Sequence, residues 1–187
     1  MAAARAAWRA EAAGIDPERL IFIDESGFDT RLTRTTLVPL AASARMGQHR
    51  VGTTLIGALG LDGIRAAMTV AAATGTAVFL AFVAQVPIPV LSREKPDAVV
   101  VMDNLAAHEA AGVRHALEAA GVAYRYLPAH SPDRNPIEQA WSKLKTRPRA
   151  RAARSREALE NAIPDALGTI TPSDARSWFR HAGYAPN

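Results

Sequence analysis

The sequence predicts an α/β domain built on one mixed five-stranded sheet with helices on both faces, and three observations carry that expectation. Residues 20–23 and 98–102 are short, wholly apolar runs with the length and composition of buried strands. Two further β-type runs, residues 53–59 and 64–70, flank Gly60, Leu61, Asp62 and Gly63, and the Asp-Gly pair suits a tight hairpin turn. Helical and strand patterns then alternate, so the order is β, β, β, α, β, α, β, α, α, α. A mixed sheet covered on both sides accommodates that order.

Each element has a local reason. Residues 2–13 form an Ala-rich helix broken by Gly14 and Pro17. The first strand, residues 20–23, runs into Asp24, Glu25, Ser26 and Gly27, a turn-like sequence. Residues 31–50 are polar and irregular, a loop or weak hairpin. Residues 76–85 read as a helix that stops before Pro87. The apolar strand at 98–102 ends at Asp103 and Asn104; residues 106–120 are helical and stop at Gly121, a natural C-terminal glycine. Residues 122–127 are the last strand and 128–134 a loop. Asn135, Pro136, Ile137 and Glu138 open a helix that reaches Thr146. Two more helices cover 157–167 and 172–181, the second introduced by Thr171 and Asp174 in capping-box spacing.

Size and composition narrow the function classes. The 187 residues fit one domain, 1–187, and with 49% hydrophobic and 21% charged residues the chain is ordinary globular material. There is no cysteine, which excludes disulfides, zinc–thiolate sites and thiol nucleophiles, so any metal must be held by oxygen or imidazole. Residues 66–92 carry no charge and are long enough to cross a bilayer. Thr69, Thr74, Gly75, Thr76, Gln85, Pro87 and Pro89 interrupt them, and the reading is a buried strand, a turn and a buried helix. No apolar secretory segment follows Met1, so a cytoplasmic protein is expected. The 19 Arg against 3 Lys, with abundant Ala, point to GC-rich coding and a bacterial source.

Three carboxylates stand where phosphoryl-transfer chemistry wants them. Asp24 and Asp103 each end an apolar strand, where ligands of open α/β sheets gather. Glu138 lies in the first turn of the helix after the last strand. Together they make a hard oxygen cage suited to Mg²⁺ or Mn²⁺, and two such ions would clamp the attacking and leaving oxygens of an in-line displacement. Each also has a structural reading: Asp24 as a turn residue, Asp103-Asn104 as a helix cap, and Glu138 at N3 of a helix capped by Asn135 with Pro136 at N1.

At these blocks the sequence resembles a known family. Residues 21–27 (Ile-Phe-Ile-Asp-Glu-Ser-Gly), residues 99–104 (Val-Val-Val-Met-Asp-Asn) with His108, and residues 131–138 (Ser-Pro-Asp-Arg-Asn-Pro-Ile-Glu) look like the three signature blocks of mariner-like bacterial insertion-sequence transposases, of the DDE superfamily. The 34 residues between Asp103 and Glu138 match that superfamily's spacing. The resemblance implies a ribonuclease-H-like fold with Asp24 on the first strand, Asp103 after the fourth and Glu138 on a later helix. It also implies a magnesium-dependent enzyme that hydrolyses a phosphodiester at the element's end and joins the freed 3′-hydroxyl to target DNA. Asn104, His108 and Asn135 match motif positions and are expected to orient the carboxylates or the backbone. The sequence departs from the family at Arg134, where an apolar residue is usual, at His130, where tyrosine is usual, in residues 34–52, which look shortened and altered, and at Pro148, where the helix after Glu138 would normally continue. The helix-turn-helix region that relatives carry before the catalytic domain is expected to be absent.

The charge distribution agrees with a polyanionic partner. The formal net charge is +4, yet seven basic residues and no acid lie within residues 143–156, so the remainder of the chain carries −3. Lys143, Lys145, Arg147, Arg149 and Arg151 are the expected DNA-backbone contacts, joined by Arg154 and Arg156. The expected partner is DNA, both transposon ends and target, with a homodimer and a separate helix-turn-helix chain as further candidates, nucleoid-associated and away from membranes. Two other readings stay open: a DNA-binding remnant or partner protein without catalysis, and another ribonuclease-H-like nuclease.

Overall fold

In the computed structural model, residues 2–29, 52–71, 75–147 and 155–184 are described. The expected loop at 31–50 lies outside them, as do Arg149, Arg151 and Arg154. The elements are α1 (Ala2–Ala13), β1 (Leu20–Asp29), β2 (Gly52–Gly60), β3 (Gly63–Val70), α2 (Thr76–Gln85), α3 (Pro87–Glu94), β4 (Val99–Met102), α4 (Ala111–Ala119), β5 (Ala123–Tyr126), α5 (Ile137–Thr146), α6 (Arg156–Leu167) and α7 (Pro172–Ala182).

One five-stranded sheet has the order β3-β2-β1-β4-β5. β1 pairs antiparallel with β2 and parallel with β4, β2 is antiparallel to β3, and β4 is parallel to β5. Strand alternation sorts the core in two. Leu20, Phe22, Phe28, Leu55, Leu59, Val99 and Val101 pack with α1, α5, α6 and α7. Ile21, Ile23, Ile56, Val100 and Met102 pack with α2, α3 and α4 on the other face. Residues 20–23 and 99–102 are covered on both sides, which is why their sequences are apolar without alternation.

Three expectations need correction. β1 does not turn at Asp24 but continues to Asp29, because β2 keeps pairing with it down to Asp29↔Gly52 after β4 has ended at Ile23↔Met102. The helix at 76–85 stops before Pro87 as expected, but a further helix, α3, starts at Pro87 itself; proline is tolerated at a helix start, where its missing N–H would have no partner. The stretch Thr76–Glu94 has the length and hydropathy of a membrane span, but α2 and α3 meet at Val86 and Phe79, Phe82, Val83 and Leu91 are buried in the core. The fourth helix begins at Ala111 rather than at 106, since the Leu105 carbonyl closes a turn by accepting from the N–H groups of His108 and Glu109.

A clasp joins the two ends of the described chain on the α5 face. Trp8 Nε1 donates to the Tyr184 hydroxyl at 2.8 Å, and that hydroxyl donates to the Arg134 carbonyl at 2.8 Å. Arg134 Nη1 donates in turn to the Ala182 carbonyl at the end of α7. Burial raises the Tyr184 hydroxyl from 10.0 to about 12. A raised acid contributes stability that is complete below its unfolded value and is lost as pH climbs through the folded one. Alkaline unfolding of the wild type should therefore steepen between pH 10.0 and about 12. Tyr184→Phe should remove that steepening and cost roughly 1–3 kcal/mol at neutral pH by orphaning the Trp8 donor, which chemical denaturation across pH will check.

Candidate active site

Backbone topology alone brings two of the acids together. The parallel register ends at Ile23↔Met102, so Asp24 and Asp103 are the next residues on adjacent strands. Beyond β5, Leu127 donates its N–H to the Met102 carbonyl, and the loop that follows runs beside Asp103 into α5. Asp24 lies on the same sheet face as Leu20 and Phe22, the face that α5 covers through Ile137, Ala140, Trp141 and Leu144. Glu138, in the first turn of α5, is thereby delivered to Asp24.

The structure brings all three acids to one place. Asp24 is buried, and its carboxyl is held well above the usual range, first by burial and then by the charges of Glu138 and Asp103. Glu138 is also raised, first by burial, with Lys145 opposing and Asp103 adding to the shift. Asp24 Oδ1 accepts from the Glu25 N–H at 2.8 Å and Oδ2 from Asn135 Nδ2 at 2.9 Å. That last bond separates two readings of Asn135. Its side chain does not cap α5, which has no side-chain cap bond; Glu138 N donates to the Asn135 main-chain carbonyl instead. The helix-start reading of this segment is thus incomplete, and the amide is committed to Asp24.

On the opposite face a second arrangement holds Asp103. His108 is fully buried, with Nε2 2.7 Å from Glu25 Oε2 and Nδ1 2.5 Å from Asp103 Oδ1. The first is a hydrogen bond; the second is a close ionic contact whose angle falls outside hydrogen-bond geometry. Burial opposes charge on the ring, but Asp103 and Glu25 outweigh it and lift His108 to about 9. Phe79 lies against the imidazole with ring centroids 3.9 Å apart. Glu25 has a place here that the sequence reading did not give it. Its signal is period two: next to Asp24 on one strand, it must face the other side of the sheet.

A cleft of ≈ 310 Å³ opens beside these residues, lined by Asp103, Asn104, Asn135 and Glu138 together with Leu105 and the loop from Leu127 to Pro132. Asn104 is exposed on its rim. Among the described residues no three Asp, Glu or His side chains form a ready-made cation cage. The donor set nevertheless fits a hard divalent cation: every candidate atom is oxygen, two of the acids are raised by burial and mutual repulsion that a cation would relieve, and Asn135 Oδ1 is buried without a partner.

Comparison with known proteins gives the family and the fold. The DDE superfamily endonuclease family matches residues 19–160. The chain belongs to that family. The fold is similar to solved Mos1 transposase structures: a paired-end complex with the left transposon end (TM-score 0.74, 17% identity, 98% of this chain and 57% of that one) and a pre-cleavage transpososome (TM-score 0.73, 16% identity, 98% and 58%). The catalytic domain of Mos1 mariner transposase alone gives TM-score 0.68 at 15% identity, over 98% of this chain and 85% of that one. The chain thus spans a little over half of the longer Mos1 chains, and its sheet is the ribonuclease-H-like fold of the Mos1 catalytic domain. No curated protein matches the sequence.

The basic residues of the chain fall into distinct roles. Lys143, one of the expected DNA contacts, is engaged within the chain: its ammonium lies 2.6 Å from Asp174 Oδ2 and donates to the Thr169 carbonyl, so it braces the start of α7. The acidic partner that the run lacks in sequence comes from another helix, and with the Thr171 bonds it holds the Asp174 carboxyl down at about 2. Lys145 is different. It stands two turns after Glu138 on α5, lowers the Glu138 carboxyl electrostatically and hangs 5.6 Å over the Phe28 ring. Arg147 ends α5 in extended backbone.

Proposed function

We propose that the chain is the catalytic domain of a mariner-like bacterial insertion-sequence transposase, cutting and joining DNA by metal-dependent in-line phosphoryl transfer in the bacterial cytoplasm. The observation that carries the reading is that Asp103 and Glu138 line one cleft where β1 and β4 part company, with the buried Asp24 close enough to feel the charge of both. Mos1 complexes solved with Mn and with Mg support divalent-metal use. Asp24, Asp103 and Glu138 would hold two Mg²⁺ or Mn²⁺ ions, which when bound activate the attacking oxygen and stabilise the leaving one.

The chain's own side chains do the rest. Asn135 fixes the Asp24 rotamer through its amide N–H. His108, pinned by Glu25 and backed by Phe79, fixes Asp103 from the other face. Lys145 supplies positive charge beside the acids for a phosphate of the bound strand, and the basic run beyond it contacts the backbone without reading bases. Transposon ends and target are the DNA partners; dimerisation and a helix-turn-helix supplied by another chain fit the same reading.

Nicking and strand-transfer assays on supercoiled DNA test it. Mg²⁺ or Mn²⁺ should support cleavage and a chelator should abolish it; a folded wild type without metal-dependent cleavage sinks the proposal. The two lysines give a contrast within one helix. Lys145→Ala should weaken DNA binding at every sequence and flatten the salt dependence by about one unit of slope, with little change in melting temperature. Lys143→Ala should lower the melting temperature by loosening α7 and leave the salt slope nearly untouched.

A further inference from the structure

We infer that Asn135 is a direct ligand of the divalent cation, through its side-chain oxygen. The inference rests on the metal-dependent reading above and goes past it, because that reading gives Asn135 only the task of fixing Asp24.

Among the described residues, the buried side-chain atoms without a hydrogen-bond partner are His108 Nδ1, Arg134 Nε, Trp141 Nε1, Arg156 Nε and Asn135 Oδ1. Only the last is an oxygen. Asn135 is 4% exposed and lines the cleft with Asp103 and Glu138. A buried amide oxygen left unpaired is costly, and in native proteins such an atom usually has a water or an ion as its partner. Against the ionised Asp24 its direction follows: Nδ2 donates to Asp24 Oδ2 at 2.9 Å, and flipping the amide would set two oxygens against each other. The amide is also free for this task, since it does not cap α5.

Charge favours the same assignment. Hard divalent cations accept amide carbonyls beside carboxylates and need about six oxygen ligands. Asp24 and Glu138 already carry the strain of burial and like charge. A neutral oxygen adds a ligand without adding repulsion, whereas a fourth acid would deepen it.

The chain has no cysteine, so Asn135→Cys would place the only thiol of the molecule at this point. Soft thiolate prefers Cd²⁺, and hard oxygen prefers Mn²⁺. Calorimetry with each metal alone should show the Cd²⁺-over-Mn²⁺ preference of Asn135→Cys rising about tenfold or more above wild type, with a thiolate-to-cadmium absorption band that wild type lacks. Asn135→Ala, a second variant independent of thiol chemistry, should bind Mn²⁺ about tenfold more weakly or worse and show no such band. A folded Asn135→Cys without the band and with an unchanged metal preference overturns the inference, as does an Asn135→Ala that binds Mn²⁺ like wild type. A wild type that binds neither metal overturns the metal-dependent reading itself, a result distinct from either variant's failure.

Discussion

Gly57→Ala is expected to lower both the melting temperature and the rate of metal-dependent cleavage, although residue 57 carries no chemistry. Gly57 faces Asp24 across the β1–β2 ladder. A Cβ there would lie 2.6 Å from Trp141 Cη2 and 3.2 Å from Cζ2, with the Ala66 carbonyl at 3.4 Å. Trp141 is 1% exposed and has nowhere to move. The indole can yield only by pushing α5 off the sheet, and Glu138 is one turn away on that helix. Overpacking of this kind typically costs about 1–3 kcal/mol. For a domain of this size that is a fall of several degrees, at roughly 2–4 °C per kcal/mol. A displacement of about 1 Å in a catalytic group can cost on the order of 10²-fold in rate. Adding Trp141→Phe removes the offending ring edge and should recover melting temperature relative to Gly57→Ala alone, a coupling that a double-mutant cycle reads directly. A Gly57→Ala protein that melts and cleaves like wild type would show that this close approach does not position α5.

What the sequence disclosed and what it hid follow from where each residue's partners lie. Residues 20–23 and 99–102 are buried on both faces, so their own composition announces them, and the Asp-Gly turn and the Thr171 to Asp174 capping box are local chemistry. Beyond Ile23 the strand is made by its neighbour: Asp24 to Asp29 are extended because β2 pairs with them, and nothing in those six residues says so. The start of α4 was obscured in the same way. His108 reads as helical, but Glu25 and Asp103 hold it in a turn before the helix begins. Lys143 and Asp174 are 31 residues apart in sequence, so their pairing was invisible and the lysine looked free. Asp24, Asp103, Glu138 and Asn135 stand in recognisable blocks, and the ends of β1 and β4 set Asp24 and Asp103 side by side, with Asp103, Asn135 and Glu138 lining the cleft. The part that stayed hidden was Glu25, whose role depends on what packs against the far face of the sheet.

Asp24→Asn and Asp103→Asn are expected to lose cleavage alike, by on the order of 10³-fold or more, yet to move stability in opposite directions. The Asp24 carboxyl is raised above its ordinary 3.8 by burial and by its acidic neighbours. A raised carboxyl contributes stability that is complete below the unfolded value and lost as pH rises through the folded one, so ionising Asp24 in the metal-free protein places an unfavourable charge at this point. Replacing it with an amide removes that charge, and its one oxygen keeps the bond from Asn135 while the bond from the Glu25 N–H is given up, a smaller loss than the charge relieved. Asp24→Asn should then melt above wild type in chelator at neutral pH, with the difference shrinking as pH falls toward 3.8. Mn²⁺ should reverse the order, because only wild type gains the binding energy of the ion. Asp103 works the other way: it helps to lift His108 from 6.5 to about 9, a contribution complete below 6.5 and lost as pH rises through about 9. Asp103→Asn leaves a fully buried ring with Glu25 as its remaining acidic partner, so it should melt below wild type at neutral pH and converge with it above about 9. Thermal melts in chelator across pH, run beside the cleavage assay, decide the matter. If Asp24→Asn melts below wild type at neutral pH, the acids of this cleft are not held together against their own repulsion, and the physical reason for placing a cation among them is gone.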